Sequence, residues 1–169
     1  MGKVWKRARA ALCGGAALSV WSMAPAQADR VPVIQAEVGN WSILGYNDAN
    51  PMCGAVISDG TNSFIFDYLP RDGYALNLMD DTGRWHPVDG QAYVLSATLT
   101  GKVPIMMRGI GWQNRVVMLL GHDDSALGPF RRGGTLAFET DAQRFEIDLG
   151  RSGEALSALR DCVKQIFGS

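Results

Sequence analysis

Three features of the sequence predict a mainly β fold, an antiparallel β-sandwich or partly open barrel with one C-terminal α-helix. Short runs rich in β-branched and aromatic residues recur at intervals of roughly 8–12 residues, with Gly, Asn, Asp and Pro between them. Most intervals are too short for a crossover helix, which argues against a parallel doubly wound sheet. Only the last stretch changes its apolar period from that of a strand to that of a helix.

The elements follow in order. Residues 29–39 leave two readings open, an ordered lead-in or a flexible arm. Residues 41–46 (WSILGY) alternate in part and run into turn chemistry at 47–51. Strands at 53–58 (CGAVIS) and 63–69 (SFIFDYL) flank the turn Asp59-Gly60-Thr61-Asn62. After a break at 70–73, residues 74–79 alternate Tyr74, Leu76 and Leu78 with Ala75, Asn77 and Met79. Residues 80–83 read as a hairpin turn, because Asp and Gly tolerate positive φ. Further strands are expected at 92–100, 103–108, 115–120, 135–139 and 144–149. Gly109-x-Gly111-Trp112 reads as a tight loop presenting an aromatic ring, either as a lid over a sandwich end or as an exposed binding residue. A short helical turn at 124–132, capped by Asp124 or Ser125, is limited by Gly128 and Pro129. From Ser152, the residues Leu156, Leu159, Val163 and Ile166 mark one face of a helix over 152–167. Ser152 suits its cap, Glu154 its positive end and Lys164 its negative end.

The N-terminus reads as an export signal. Residues 1–9 are basic, 10–20 (AALCGGAALSV) are small and apolar, and Ala26-Gln27-Ala28 offers a cleavage site. The apolar run is shorter than the roughly 20 residues that span a bilayer. Residues 1–28 are therefore expected to leave a single mature domain, 29–169, that is periplasmic or secreted and has no integral span. Removing Lys3, Lys6, Arg7 and Arg9 leaves 12 basic residues against 17 acidic, a net charge of −5. That balance argues against nucleic acid, which needs clustered Lys and Arg. Cys53 and Cys162 survive processing, and an oxidising compartment allows them one bridge. Cys162 lies beside the apolar helix stripe, from which it can reach a strand beneath. Two free thiols or a catalytic cysteine are the alternatives; no CxxC redox motif is present.

The chain is poor in recognisable chemistry. Asp81-Thr82-Gly83 has no second copy, and Asp80 and Arg84 are wrong neighbours for an aspartic-protease loop. His122-Asp123-Asp124-Ser125 groups an imidazole, two carboxylates and a hydroxyl, but adjacent side chains do not converge on one ion. His86 is the only other histidine. There is no G-x-S-x-G, and neither Gly109-Ile110-Gly111 nor Gly133-Gly134 makes a nucleotide fingerprint. No metal site and no cofactor are expected. Arg131 and Arg132, beside Phe130, form the densest positive spot, either a solvated loop or a contact for an anion or a partner.

The run from His122 to Cys162 reads as a short acidic helix, Phe-x-x-Gly at Phe130–Gly133, a strand, a second strand ending in Leu149-Gly150, and Glu-Ala-Leu-x-x-Leu from Glu154. This resembles the C-terminal half of the invasion-associated locus B family. The resemblance implies a small exported β-rich protein linked to the envelope and to host-cell entry, and it supplies no catalytic residues. The expected function is a non-enzymatic, exported binding or envelope-associated protein whose partner is another envelope or host protein. Trp112, Phe130, Arg131 and Arg132 are its expected binding surface. The alternative is a small periplasmic hydrolase whose site assembles from scattered Ser, Asp and His.

Overall fold

Alternating apolar positions become ten strands in the computed structural model, which describes residues 31–100, 102–140 and 143–168. They are β1 (Ile34–Val38), β2 (Trp41–Tyr46), β3 (Met52–Ser58), β4 (Asn62–Leu69), β5 (Gly73–Asp80), β6 (Ala92–Leu99), β7 (Ile105–Trp112), β8 (Arg115–Gly121), β9 (Thr135–Glu139) and β10 (Arg144–Asp148). A 3₁₀ helix at Asp124–Arg132 and helix α1 at Ser152–Phe167 complete the set. The expected leader, 1–28, lies outside the described residues.

Every pairing is antiparallel, and one unclosed sheet holds all ten strands in the order β1-β2-β3-β4-β5-β8-β7-β6-β9-β10. The mainly β fold with a C-terminal helix is thus present as one rolled sheet. The roll is tight enough for Phe64 of β4 to stack on Phe138 of β9, with ring centroids 5.6 Å apart. The Trp41 indole N–H, on β2, donates to the Leu149 carbonyl just beyond β10 at 2.8 Å. Inward positions from every strand except β1 and β7 supply core residues buried to below a tenth of their surface. Helix α1 lies against β2 and β3 and adds Leu156, Leu159 and Val163 to the same core. Cys162 on α1 is bonded to Cys53 on β3, with Cα atoms 6.1 Å apart. Gly45, register partner of Cys53, makes room, since a Cβ there would sit 2.7 Å from the Cys162 sulfur.

Several local expectations are corrected. Residues 34–38 form an edge strand on β2, which settles the open reading of the lead-in. Residues 80–83 do not make a hairpin, because β5 pairs with β8 and β6 lies two strands further on. Instead the Asp80 carboxylate accepts from the backbone N–H groups of Thr82, Arg84 and Trp85, which turns the chain into a long crossover. The strand expected at 103–108 runs on to Trp112, so Gly109 and Gly111 lie within β7 rather than in a loop. Both glycines answer crowding: a Cβ would meet Val116 Cγ1 at 2.4 Å from Gly109, and the Val88 carbonyl at 2.1 Å from Gly111. The turn falls instead at Gln113 and Asn114, whose φ values are 48° and 63°. The 3₁₀ helix is capped by Asp123, not by Asp124 or Ser125. The cap position of α1 is Arg151, and Ser152 is buried inside the first turn.

Candidate functional site

A sheet rolled around a core has a second face, and here that face is apolar at its centre. On β6, β7 and β8 the outward residues are Val94, Met106, Ile110, Trp112 and Leu119, each with more than half of its surface in solvent. The register makes them a continuous field. Ala92, Ile110 and Val117 lie in one row, Val94 stands opposite Arg108, and Trp112 opposite Arg115. On β5 the same rows end in buried residues, Ala75 beside Leu119 and Asn77 beside Val117. Charge gathers at the margins, as the ion pairs of Arg144 with Glu139 and Glu146 on β9 and β10 and the Glu37–Ser42 hydrogen bonds on β1 and β2. Arg108 stands among these apolar residues, between Met106 and Ile110 on β7, so the field is apolar with cations inside it, a composition that suits an interaction surface.

The β7–β8 hairpin is held rigid. The Gln113 N–H donates to Asp89 at 2.7 Å, and His86 Nδ1 is 2.8 Å from the Asn114 side-chain oxygen. Backbone bonds join Gly111 to Gly90 and Gln91, each at 2.8 Å. The Arg115 guanidinium stands 5.9 Å from the centre of the Trp112 ring, within cation–π range. Trp112 thus ends β7 with half of its surface in solvent, beside a braced turn.

One buried carboxylate lies in this face. Asn77 donates to Asp67 Oδ2 at 2.9 Å, while Asp67 Oδ1 has no hydrogen-bond partner. Burial pushes the Asp67 pKa up to about 6, against the pull of Arg115 and of the Asn77 hydrogen bond.

The other sequence-predicted residues fall elsewhere. Phe130 is only 2% exposed and packs edge-on against Phe66, so it belongs to the core and offers no binding surface. Arg131 and Arg132 diverge. Arg131 pairs with Asp124 at 3.2 Å, whereas Arg132 lines a groove with Lys102, Val103 and Pro129. The two histidines are not brought together: His86 meets Asn114 just before β8, and His122 follows the end of β8, roughly 26 Å away at strand spacing. Asp123 accepts from the Ser125 N–H at 2.9 Å, and hydrogen bonds from Ser125 hold its carboxyl below the usual range. Asp81 accepts from the hydroxyls of Ser58 and Ser63, which ties it into the sheet. Sequence reasoning missed the outward field, although Met106, Ile110 and Trp112 do recur at even positions. An apolar strand residue gives no sign of which face is covered.

No family model matches the chain, and no curated protein and no solved structure matches it either.

Proposed function

We propose that this chain is an exported, non-enzymatic binding protein of the periplasm or the cell exterior that docks a protein partner on the outward face of β6–β8. One observation carries the reading: a field of large apolar side chains on β6–β8, each with more than half of its surface in solvent, beside a hairpin braced by hydrogen bonds. Arg108 and Arg115 are the cations of this field; Asp67, beside it on β4, is buried, and Glu139 on its margin is paired with Arg144. The complementary partner presents carboxylates among apolar side chains. The leader-like residues 1–28, the Cys53–Cys162 bridge and the resemblance of 122–162 to the invasion-associated locus B family support export and an envelope role.

A photo-crosslinking residue at Ile110 or Leu119 tests this in cells, with Gln35 on the opposite edge as control. The expected result is one heavier adduct with a second protein, specific to the face and lost on Arg115→Glu. Adducts only with lipid, only with a second copy of the chain, or equally from Gln35 overturn the reading. Leu119→Glu is exposed, so it is expected to abolish the adduct while shifting stability by no more than about 0.5 kcal/mol.

A further inference from the structure

At the opposite end of β8 from the Trp112 hairpin, a cavity of about 300 Å³ opens between the strand ends, the 3₁₀ helix and α1. We infer that this cleft binds a small aromatic monocarboxylate. It is independent of the outward face.

Its wall is aromatic. Tyr68 and Tyr74 are register partners on β4 and β5, with ring centroids 4.9 Å apart in an edge arrangement. His122 lies edge-on to Tyr68 at 6.3 Å, and Phe167 backs the same ring at 5.3 Å. A planar ring has an apolar, polarisable surface to lie against here.

Its polar groups await a partner. Tyr74 is 3% exposed, yet its hydroxyl has no hydrogen bond to any described residue and the side chain lines the cleft. A buried tyrosine O–H ordinarily finds an acceptor. Burial, reinforced by the nearby Asp124, raises the Tyr74 pKa, so the hydroxyl stays a donor at neutral pH. The hydroxyl is not sealed from solvent, so it is open to an acceptor that enters the cleft.

The charges favour an anion. Asp123 is engaged as the cap of the 3₁₀ helix. Asp124 is shared between Arg131 at 3.2 Å and Arg160 at 3.7 Å. Lys164, on the last turn of α1, lines the cleft and makes no ion pair among the described residues. The lining holds Arg160 and Lys164 against Asp123 and Asp124, and Arg131, paired with Asp124 from beside the lining, brings the local balance to an excess of one cation. A monocarboxylate balances it, with its oxygens toward Lys164, Arg160 and the Tyr74 hydroxyl and its ring on Tyr68. The cavity lies at the lower end of the range of small-molecule sites, roughly 300–1,000 Å³, which suits a single ring with a short acid arm.

The probe is phenylacetate, titrated into the purified protein and followed by amide NMR shifts. The expected result is saturable binding in the millimolar range or tighter, with shifts centred on Tyr68, Tyr74 and His122. Lys164→Ala, on the surface, is expected to weaken it by about tenfold, and Tyr74→Phe by about fivefold. Should Tyr74→Phe fail to fold, Lys164→Ala alone decides. 2-Phenylethanol, which lacks the charge, and cyclohexylacetate, which lacks the aromatic ring, are each expected to bind at least about tenfold more weakly. Non-saturable shifts, shifts centred elsewhere, no effect of Lys164→Ala, or equal binding of either analogue overturns the assignment.

Discussion

Asp67 shows how one residue sets a pH dependence. Its carboxyl is buried with one oxygen unpartnered, and its folded-state pKa stands at about 6 against an ordinary value of 3.8. The folded protein therefore binds this proton more tightly than the unfolded chain does. The stability contributed by the protonated form is fully present below about pH 4 and is lost as pH rises through about 6. Two pH units correspond to roughly 3 kcal/mol. Asp67→Asn keeps the shape and removes the charge. It is expected to be more stable than the parent at about pH 7.5, by up to roughly 3 kcal/mol, and nearly equal to it at about pH 4. Urea unfolding of both proteins at the two pH values checks this. A constant difference across that window would show that Asp67 ionises without cost. The sequence placed residue 67 in a strand, but the burial of its carboxyl depends on Asn77 and Gly54, which the fold brings from two other strands.

At the scale of elements, β7 separates what pattern reveals from what packing requires. Glycine reads as a turn signal because it alone accepts positive φ freely. At Gly109 and Gly111 the need is space against β8 and against the crossover at residues 81–91, and no local pattern encodes that contact. The turn itself uses Gln113 and Asn114, which carry positive φ without a glycine. Gly111→Ala would drive a Cβ to 2.1 Å from the Val88 carbonyl. The crossover must move, at a cost of roughly 1–3 kcal/mol. The Gln113–Asp89 and His86–Asn114 contacts should loosen with it. Hydrogen exchange is expected to quicken at Gly111 and Gln113 while the α1 amides keep their protection. The ends of α1 tell a similar story. Ser152 was legible as a capping residue, yet its hydroxyl donates to the Phe130 carbonyl at 2.6 Å and accepts from the Gly133 N–H at 3.2 Å. It joins the helix to the 3₁₀ segment, whose position the local sequence does not specify.

For the molecule as a whole, the Cys53–Cys162 bridge ties the last element to an early one across 109 residues. A loop of that length restricts the unfolded chain by roughly 4–5 kcal/mol in the chain-entropy model, out of a typical 5–15 kcal/mol. Cys162→Ser is expected to lower the melting temperature markedly and to loosen α1 before the sheet. The rolled sheet has its own ladders, whereas α1 rests on one apolar face and the bridge. Thermal unfolding with and without reductant, followed by hydrogen exchange, separates the two. An unchanged melting temperature would mean that α1 holds without the bond.

The sequence by itself determined the strand-rich antiparallel class and the terminal helix, and it allowed one bridge between its two later cysteines, which the fold brings together. These follow from local periodicity, turn chemistry and the count of thiols. The tertiary structure decided the rest. It put β8 beside β5, so the crossover that looked like a hairpin turn became a clamp on the β7–β8 hairpin. It sent Phe130 inward despite the two arginines that follow it, and left Ile110, Trp112 and Leu119 outside although each is a large apolar residue. It also joined Tyr68, Tyr74, His122 and Lys164 around one cleft from four separate stretches. Periodicity fixes which residues share a face; only long-range packing settles whether that face meets core, solvent or a ligand.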